Sequence, residues 1–252
     1  MGYEKKLAIY IDILGTKNSS YDELYKINNI FHNELIRIKE SEMLCKKFVT
    51  SFSDCAYIIY EIDKQNEINE EDNVFCLYIH EALTDLSYTI STIQINNFLC
   101  RGGISYGELY YDEKNNFVFG PAINEAFTLE KEAIMPRIIL NDNLGNKLYK
   151  KEGSINNKFQ NLIRKDEFDN RYYLNSLYAF SQFDYMDYDE GLFNEKIRLG
   201  DKEYNFDECY SILKKKSVET INSNTNHNII AKHKWQLNYL RQHYKERSHA
   251  GD

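Results

Sequence analysis

No apolar run in this chain approaches the ~20 residues that a membrane-crossing helix needs, so a bilayer span is not expected. No CxxC pair occurs either. The five cysteines, Cys45, Cys55, Cys76, Cys100 and Cys209, are odd in number and widely spaced, and read as reduced, mostly buried thiols. Lys and Arg nowhere cluster into a stripe and the formal net charge is −8, which argues against an extended DNA or RNA footprint. The six histidines show neither HExxH spacing nor a partnered cysteine, so zinc and thiol chemistry have little support. RGGISYG lacks the GxGxxG order of a dinucleotide fingerprint, and the acidic run Asp184–Glu190 misses the Gly and terminal Glu of a calcium loop. Internal repeats and low-complexity segments are absent. The opening MGYEKK runs straight into a strand-like stretch without a signal peptide, and Lys6 stands where myristoylation needs Ser or Thr; a cytoplasmic protein is expected.

What is present is a 252-residue chain, 42% hydrophobic and rich in aromatics, with 21 Tyr and 14 Phe, enough for one large core. Its organising stretch is Leu7–Lys17, LAIYIDILGTK. An apolar strand-like run carries Asp12 to its end, and the Leu14-Gly15-Thr16 turn then exposes backbone N–H groups. Strand, carboxylate, turn and helix in that order can hold a metal-bound triphosphate, because aspartate offers a hard oxygen ligand and free amides receive phosphate oxygens. The same order also occurs wherever a strand simply meets a turn.

Further on, Ser20-Tyr21-Asp22-Glu23 forms a capping box ahead of apolar residues at helical spacing, Ile27 to Ile38, which predicts a helix ending near Glu42. Lys47–Tyr60 alternates into two strands with Asp54 at the hairpin tip. Glu61–Asp72 reads as polar loop and Asn73–Asn97 as a long core helix. Leu99–Asp112 is a strand with Gly102, Gly103 and Gly107 inside it, and Lys114–Asn116 closes a hairpin onto Phe117–Phe119. Pro121 opens a helix to about Ala133, with Asn124 in its first turn, and Pro136–Leu140 is a further buried strand. The order β-α-β-β-α-β-β-α-β predicts an α+β fold, a mostly antiparallel sheet with helices on one face. Residues 5–150 form the expected catalytic domain and 151–252 a C-terminal extension packed on it. In the extension Arg171–Phe180 reads as a strand, and Cys209–Ile221 and Asn228–Tyr244 as two closing helices.

Asp12 at a strand end and Asp54 at a hairpin tip become neighbours if the first strand pairs beside that hairpin. Two adjacent carboxylates repel unless protonated or bridged by cations, which favours a divalent-metal site. From spacing alone, each reads rather as a turn-capping aspartate.

YIDILG, SFSDCAYIIY, RGGISYGEL and FGPAINEAFTLEKEAIMPRIIL, in that order over residues 5–141, closely resemble the catalytic domain of class III nucleotide cyclases, which has a ferredoxin-like sheet. Within that superfamily, YIDILG and the C-terminal Lys232-His233-Lys234-Trp235 look like the bacterial pyrimidine cyclases of Pycsar antiphage systems. The resemblance implies metal binding by Asp12, Asp54 and the Ile13 carbonyl, with two Mg2+ or Mn2+ ions per site. It implies phosphate binding by the Leu14, Gly15 and Thr16 amides and ribose orientation by Asn124. The partners it implies are a pyrimidine nucleoside triphosphate, a second copy sharing the active sites in a homodimer, and a separate effector that senses the product. Where the pattern has a transition-state arginine this chain has Thr128, so Arg101, Lys131, Arg137 and Lys232 become candidates for that charge, with Arg101 taken as catalytic. At the two base-selecting positions stand Thr50 and Phe117 rather than the charged residues of purine cyclases; Phe117 can stack on a pyrimidine and Thr50 can bond its edge. UTP is favoured over CTP, and a purine cyclase or an inactive nucleotide-binding module are the alternatives.

Overall fold

The computed structural model describes residues 3–42, 45–62, 73–149, 161–181 and 196–249. Its axis is β1 (Glu4–Leu14), which pairs antiparallel with β3 (Cys55–Tyr60) on one side and with β4 (Leu99–Asp112) on the other. The sheet continues outward from β3 to β2 (Lys47–Phe52), and from β4 to β6 (Ile138–Leu140), β8 (Tyr172–Leu174) and β7 (Ile163–Lys165). Pairing between β4 and β6 is parallel and all the other pairings are antiparallel, with β5 (Phe117–Phe119) hairpinned onto β4.

Both faces of β1 are covered, which is why its apolar run is continuous. Leu7, Ile9, Ile11 and Ile13 face α1 (Tyr21–Glu40) and α2 (Asn73–Ile95), the helices on the expected face. Ala8 and Tyr10 point the other way, under α3 (Pro121–Ala133), which adds a helix on the opposite face. At Gly103 of β4 a Cβ would lie 2.2 Å from the Ala126 carbonyl oxygen, so glycine is what lets α3 lie directly on the strand. That close approach fixes where the later turns of α3 fall.

The capping box forms as expected, with Ser20 Oγ accepting from the Glu23 amide and the Glu23 carboxylate accepting from the Ser20 amide. α1 ends at Glu40, and residues 63–72 and 184–190 lie outside the described set. The strand expected over Arg171–Phe180 is shorter. After β6 and α4 (Asp142–Tyr149), only Tyr172–Leu174 of that stretch pairs, and one helical turn, α5, follows at Tyr178–Ser181. Asn175 ends the strand because its side chain accepts from the Leu177 amide and donates to the Asn161 carbonyl, an alternative to ladder bonding.

After the small hairpin of β9 (Ile197–Leu199) and β10 (Lys202–Tyr204), α6 (Phe206–Ser223) and α7 (His227–His249) form an antiparallel pair, each longer than the sequence predicted. Their apolar faces join Ile95, Leu129, Tyr173 and Leu177 in a second core cluster. Arg137, one of the candidate transition-state cations, is built into this junction. It is buried, forks onto Asp166 and Asp169, and lies 5.9 Å from the Trp235 ring, whose Nε1–H donates to Asp166 Oδ2 at 2.9 Å. Its role is structural. No described helix is long and apolar enough to cross a membrane.

Candidate active site

Strand pairing places Asp12 opposite Cys55 on β3 and opposite Arg101 on β4. Because side chains alternate, Asp12 shares the α3-side face with Tyr10 and Arg101, while its neighbours Ile11 and Ile13 are committed to the core beneath. The hairpin tip closes on the strand end: the Ile13 amide donates to the Asp54 carbonyl at 2.9 Å, and Thr16 Oγ1 donates to Asp54 Oδ2. Asp12 and Asp54 are thus brought together as expected. Gly15 turns the chain with φ +94°, a left-handed conformation that strains other residues, and leads into a single 3-10 turn at Thr16–Asn18.

A third carboxylate stands in the site. Glu130 of α3 is 3% exposed and ion-paired with Arg101 Nε, while Arg101 Nη2 lies 3.8 Å from Asp12 Oδ2. The sequence did carry a signal for Glu130. It sits four residues past Ala126 and three before Ala133, on the buried stripe of α3, where a carboxylate needs a reason to be.

Burial, then the charges of Glu130 and Asp54, push the Asp12 carboxyl up to about 6 from its ordinary 3.8, against the opposing pull of Arg101 and Lys17. Between those values the folded chain holds a proton that the unfolded chain releases, so this group's contribution to stability falls as pH rises through that window. The donor set fits a hard divalent cation, which relieves the carboxylate repulsion that protonation otherwise relieves. Asp12 and Asp54 would hold it; among the described residues no group of three or more His, Cys, Asp or Glu is preassembled for a metal. Manganese affinity, read by electron paramagnetic resonance, is expected to be level above pH 7 and to fall by about tenfold per pH unit below about 6, as protons compete for Asp12.

Of the four candidate cations, two are at the site. Arg101 is in place but held between two carboxylates. Lys232 of α7 has its ammonium pKa lowered by burial and by Arg101, while Asp12 and Glu130 oppose that shift. Lys131 is turned onto the Phe127 ring, its ammonium 4.0 Å from the centroid.

Among the described residues, no hydrogen bond or ion pair joins Asn124, Thr50 or Phe117 to Asp12. Asn124 is exposed on α3, its carbonyl accepting from Thr128 Oγ1 at 2.8 Å. Thr50 lies half-buried opposite Tyr57, in a row that continues through Tyr10 to Gly103. Phe117 is 54% exposed on β5, with its ring 5.2 Å from that of Phe119.

No protein-family model matches the chain, and no curated protein does. Among solved structures, a bacterial light-regulated adenylyl cyclase matches with 19% identity and a TM-score of 0.39, over 69% of this chain and 52% of that one. The chain therefore spans about half the length of that neighbour.

Proposed function

We propose that the protein is a nucleotide cyclase that converts UTP, or else CTP, to the 3′,5′-cyclic monophosphate and pyrophosphate. The observation that carries this reading is the junction of Asp12 and Asp54 over the Gly15 turn, with the Asp12 proton affinity raised by burial and then by the neighbouring carboxylates of Glu130 and Asp54. A binding module has little reason to hold two adjacent carboxylates at the end of its central strand.

In the proposed reaction the ribose 3′-hydroxyl gives up its proton to solvent, its oxygen attacks the α-phosphorus to form a new P–O bond, and the bond to the bridging oxygen breaks, releasing pyrophosphate. Two Mg2+ or Mn2+ ions, when bound, would neutralise the triphosphate and lower the pKa of the attacking hydroxyl. This chain's part is positioning. Asp12, Asp54 and the Ile13 carbonyl hold cations, the Leu14–Thr16 backbone takes phosphate oxygens, and Arg101 offsets charge on the reacting phosphate. Asn124 orients the ribose, with Thr50 and Phe117 at the base. As the cyclase resemblance implies, a second copy would supply these last three, giving a homodimer with two shared sites; that none of them bonds to Asp12 in the chain is consistent with this.

Mixing Asp12→Ala with Asn124→Ala protein tests this arrangement. Each variant alone is expected to be inactive, and the mixture to regain about a quarter of wild-type activity through one intact site per heterodimer, as random exchange dictates. No recovery despite demonstrated subunit exchange would contradict it. For the base, Phe117→Ala is expected to raise the pyrimidine triphosphate KM by about tenfold, the equivalent of one lost stacking contact, with a smaller change in kcat.

The Pycsar resemblance extends the proposal to a second messenger made in the cytoplasm during antiphage defence and sensed by a separate effector. We further propose residues 5–150 as the unit that carries the catalytic residues; 151–252 is not a separate layer packed on it, because β7 and β8 continue the same sheet beyond β6 before the helix pair begins.

A further inference from the structure

Behind the Gly15 turn lies a cleft of about 470 Å³, within the ~300–1,000 Å³ range of small-ligand sites. One wall is the β1 end at Leu14 and Gly15; another is α1, with Glu23 and Lys26; the far wall is the C-terminal helix pair, with Lys216 from α6 and Lys232 and His233 from α7. In a chain of net charge −8, three lysines on one cleft against a single carboxylate are a local reversal of sign.

That carboxylate is bonded within the capping box, which with a smaller pull from Lys216 lowers its pKa, so it offsets only part of the cleft's positive charge. Glu23 accepts from the Ser20 amide at 2.9 Å and from Ser20 Oγ at 3.1 Å in the capping box. Among the described residues, none of the three ammonium groups has an ion-pair partner. His233 adds no charge, because burial, together with Lys216 and Lys232, pushes it down to about 4, and its Nδ1 lies 3.3 Å from Ser217 Oγ. Around neutral pH the cleft is a half-enclosed cationic site. Lys232 connects it to the carboxylate site, since it interacts electrostatically with Arg101, Asp12 and Glu130.

We infer that this cleft is a polyphosphate pocket, in which Lys26, Lys216 and Lys232 hold either the terminal phosphates of a nucleoside triphosphate or the pyrophosphate split from it. The source of the ligand rests on the cyclase reading; the pocket itself rests on the geometry. A triphosphate running over the Leu14–Gly15 edge would leave its α-phosphate beside Asp12 and carry its tail toward α6 and α7. The C-terminal helix pair thereby becomes part of the substrate site, and a movement that separates α6 and α7 from α1 would dismantle the tail's cradle.

The test is calorimetric titration of the full chain, in chelator-treated buffer without metal, with tripolyphosphate, pyrophosphate and orthophosphate. Wild type is expected to bind tripolyphosphate about tenfold or more tighter than orthophosphate, and Lys216→Glu to weaken tripolyphosphate by at least about tenfold, with Lys216→Arg within about threefold of wild type. Unchanged thermal melting of Lys216→Glu separates this loss from misfolding, and the milder Lys216→Gln serves if the glutamate variant melts early. Competition by UTP assigns the ligand as the substrate's tail; competition by free pyrophosphate alone assigns it as the released product. No tripolyphosphate binding by wild type, or equal binding by Lys216→Glu, overturns the pocket. Its failure and that of the cyclase reading are separable. Lysine-dependent tripolyphosphate binding without turnover of any nucleotide keeps the pocket and removes the cyclase, whereas turnover with a KM unmoved by Lys216→Glu does the reverse.

Discussion

Asp54→Ala is expected to lower cyclic-nucleotide formation by about a thousandfold or more, the equivalent of the several kcal/mol that a correctly placed divalent cation contributes. The fold should survive. Asp54 sits at a hairpin tip, and among the described residues its side chain's one hydrogen bond comes from Thr16 Oγ1, a contact worth about 1 kcal/mol. Asp12→Asn should be equally inactive with the opposite effect on stability. Its carboxyl is pushed up to about 6 because the ionised form is disfavoured in its surroundings. Replacing it by a neutral isostere is expected to stabilise the metal-free protein at pH 8 by on the order of 1 kcal/mol, after allowance for its 26% side-chain exposure. A small rise in melting temperature together with lost activity marks a residue kept for chemistry at the expense of stability. An inactive Asp12→Asn that melts lower than wild type would mean that Asp12 serves chiefly to anchor Arg101.

The largest expected stability effect lies away from the carboxylates. Arg137→Ala leaves Asp166 and Asp169 without their buried counter-ion and removes the guanidinium beside Trp235, a loss of about 3–5 kcal/mol. For a chain of this size that corresponds to a fall in melting temperature of roughly 10 °C. Arg137→Lys should recover part of it, since a lysine cannot fork onto both carboxylates. Because Trp235 and Lys232 share α7, Arg137→Ala should also raise the KM for the nucleotide more than it lowers kcat in protein that remains folded. A melting shift within about 1 °C of wild type would show that this ion pair is not the clamp described.

Much of this architecture is legible in the chain itself. The continuous apolar run from Leu7 to Ile13 announces a strand buried on both faces, and the Ser20–Glu23 box marks the start of α1. Asp54 at the hairpin tip follows from alternation in Lys47–Tyr60, and its approach to Asp12 follows once β1 and β3 pair. Other features depend on contacts between distant residues that local pattern does not encode. β8 stops at Leu174 because the Asn175 side chain finds the Leu177 amide and the Asn161 carbonyl. The sequence offers Arg137 as a candidate for the missing transition-state charge, and only the fold reveals the two aspartates, some thirty residues further on, that hold it. Glu130 was readable in principle from its place on the buried stripe of α3. Lys216 was not, because its place on the cleft depends on how α6 and α7 close against α1.

The central claim is tested most directly by incubating the purified protein with manganese and each of the four ribonucleoside triphosphates in turn, with Asp54→Ala as the control, and identifying the products. Cyclic UMP or cyclic CMP from wild type alone is the predicted result. Cyclic AMP or cyclic GMP would contradict the reading of Thr50 and Phe117, and the absence of any cyclic product would contradict the assignment of Asp12 and Asp54 to catalysis.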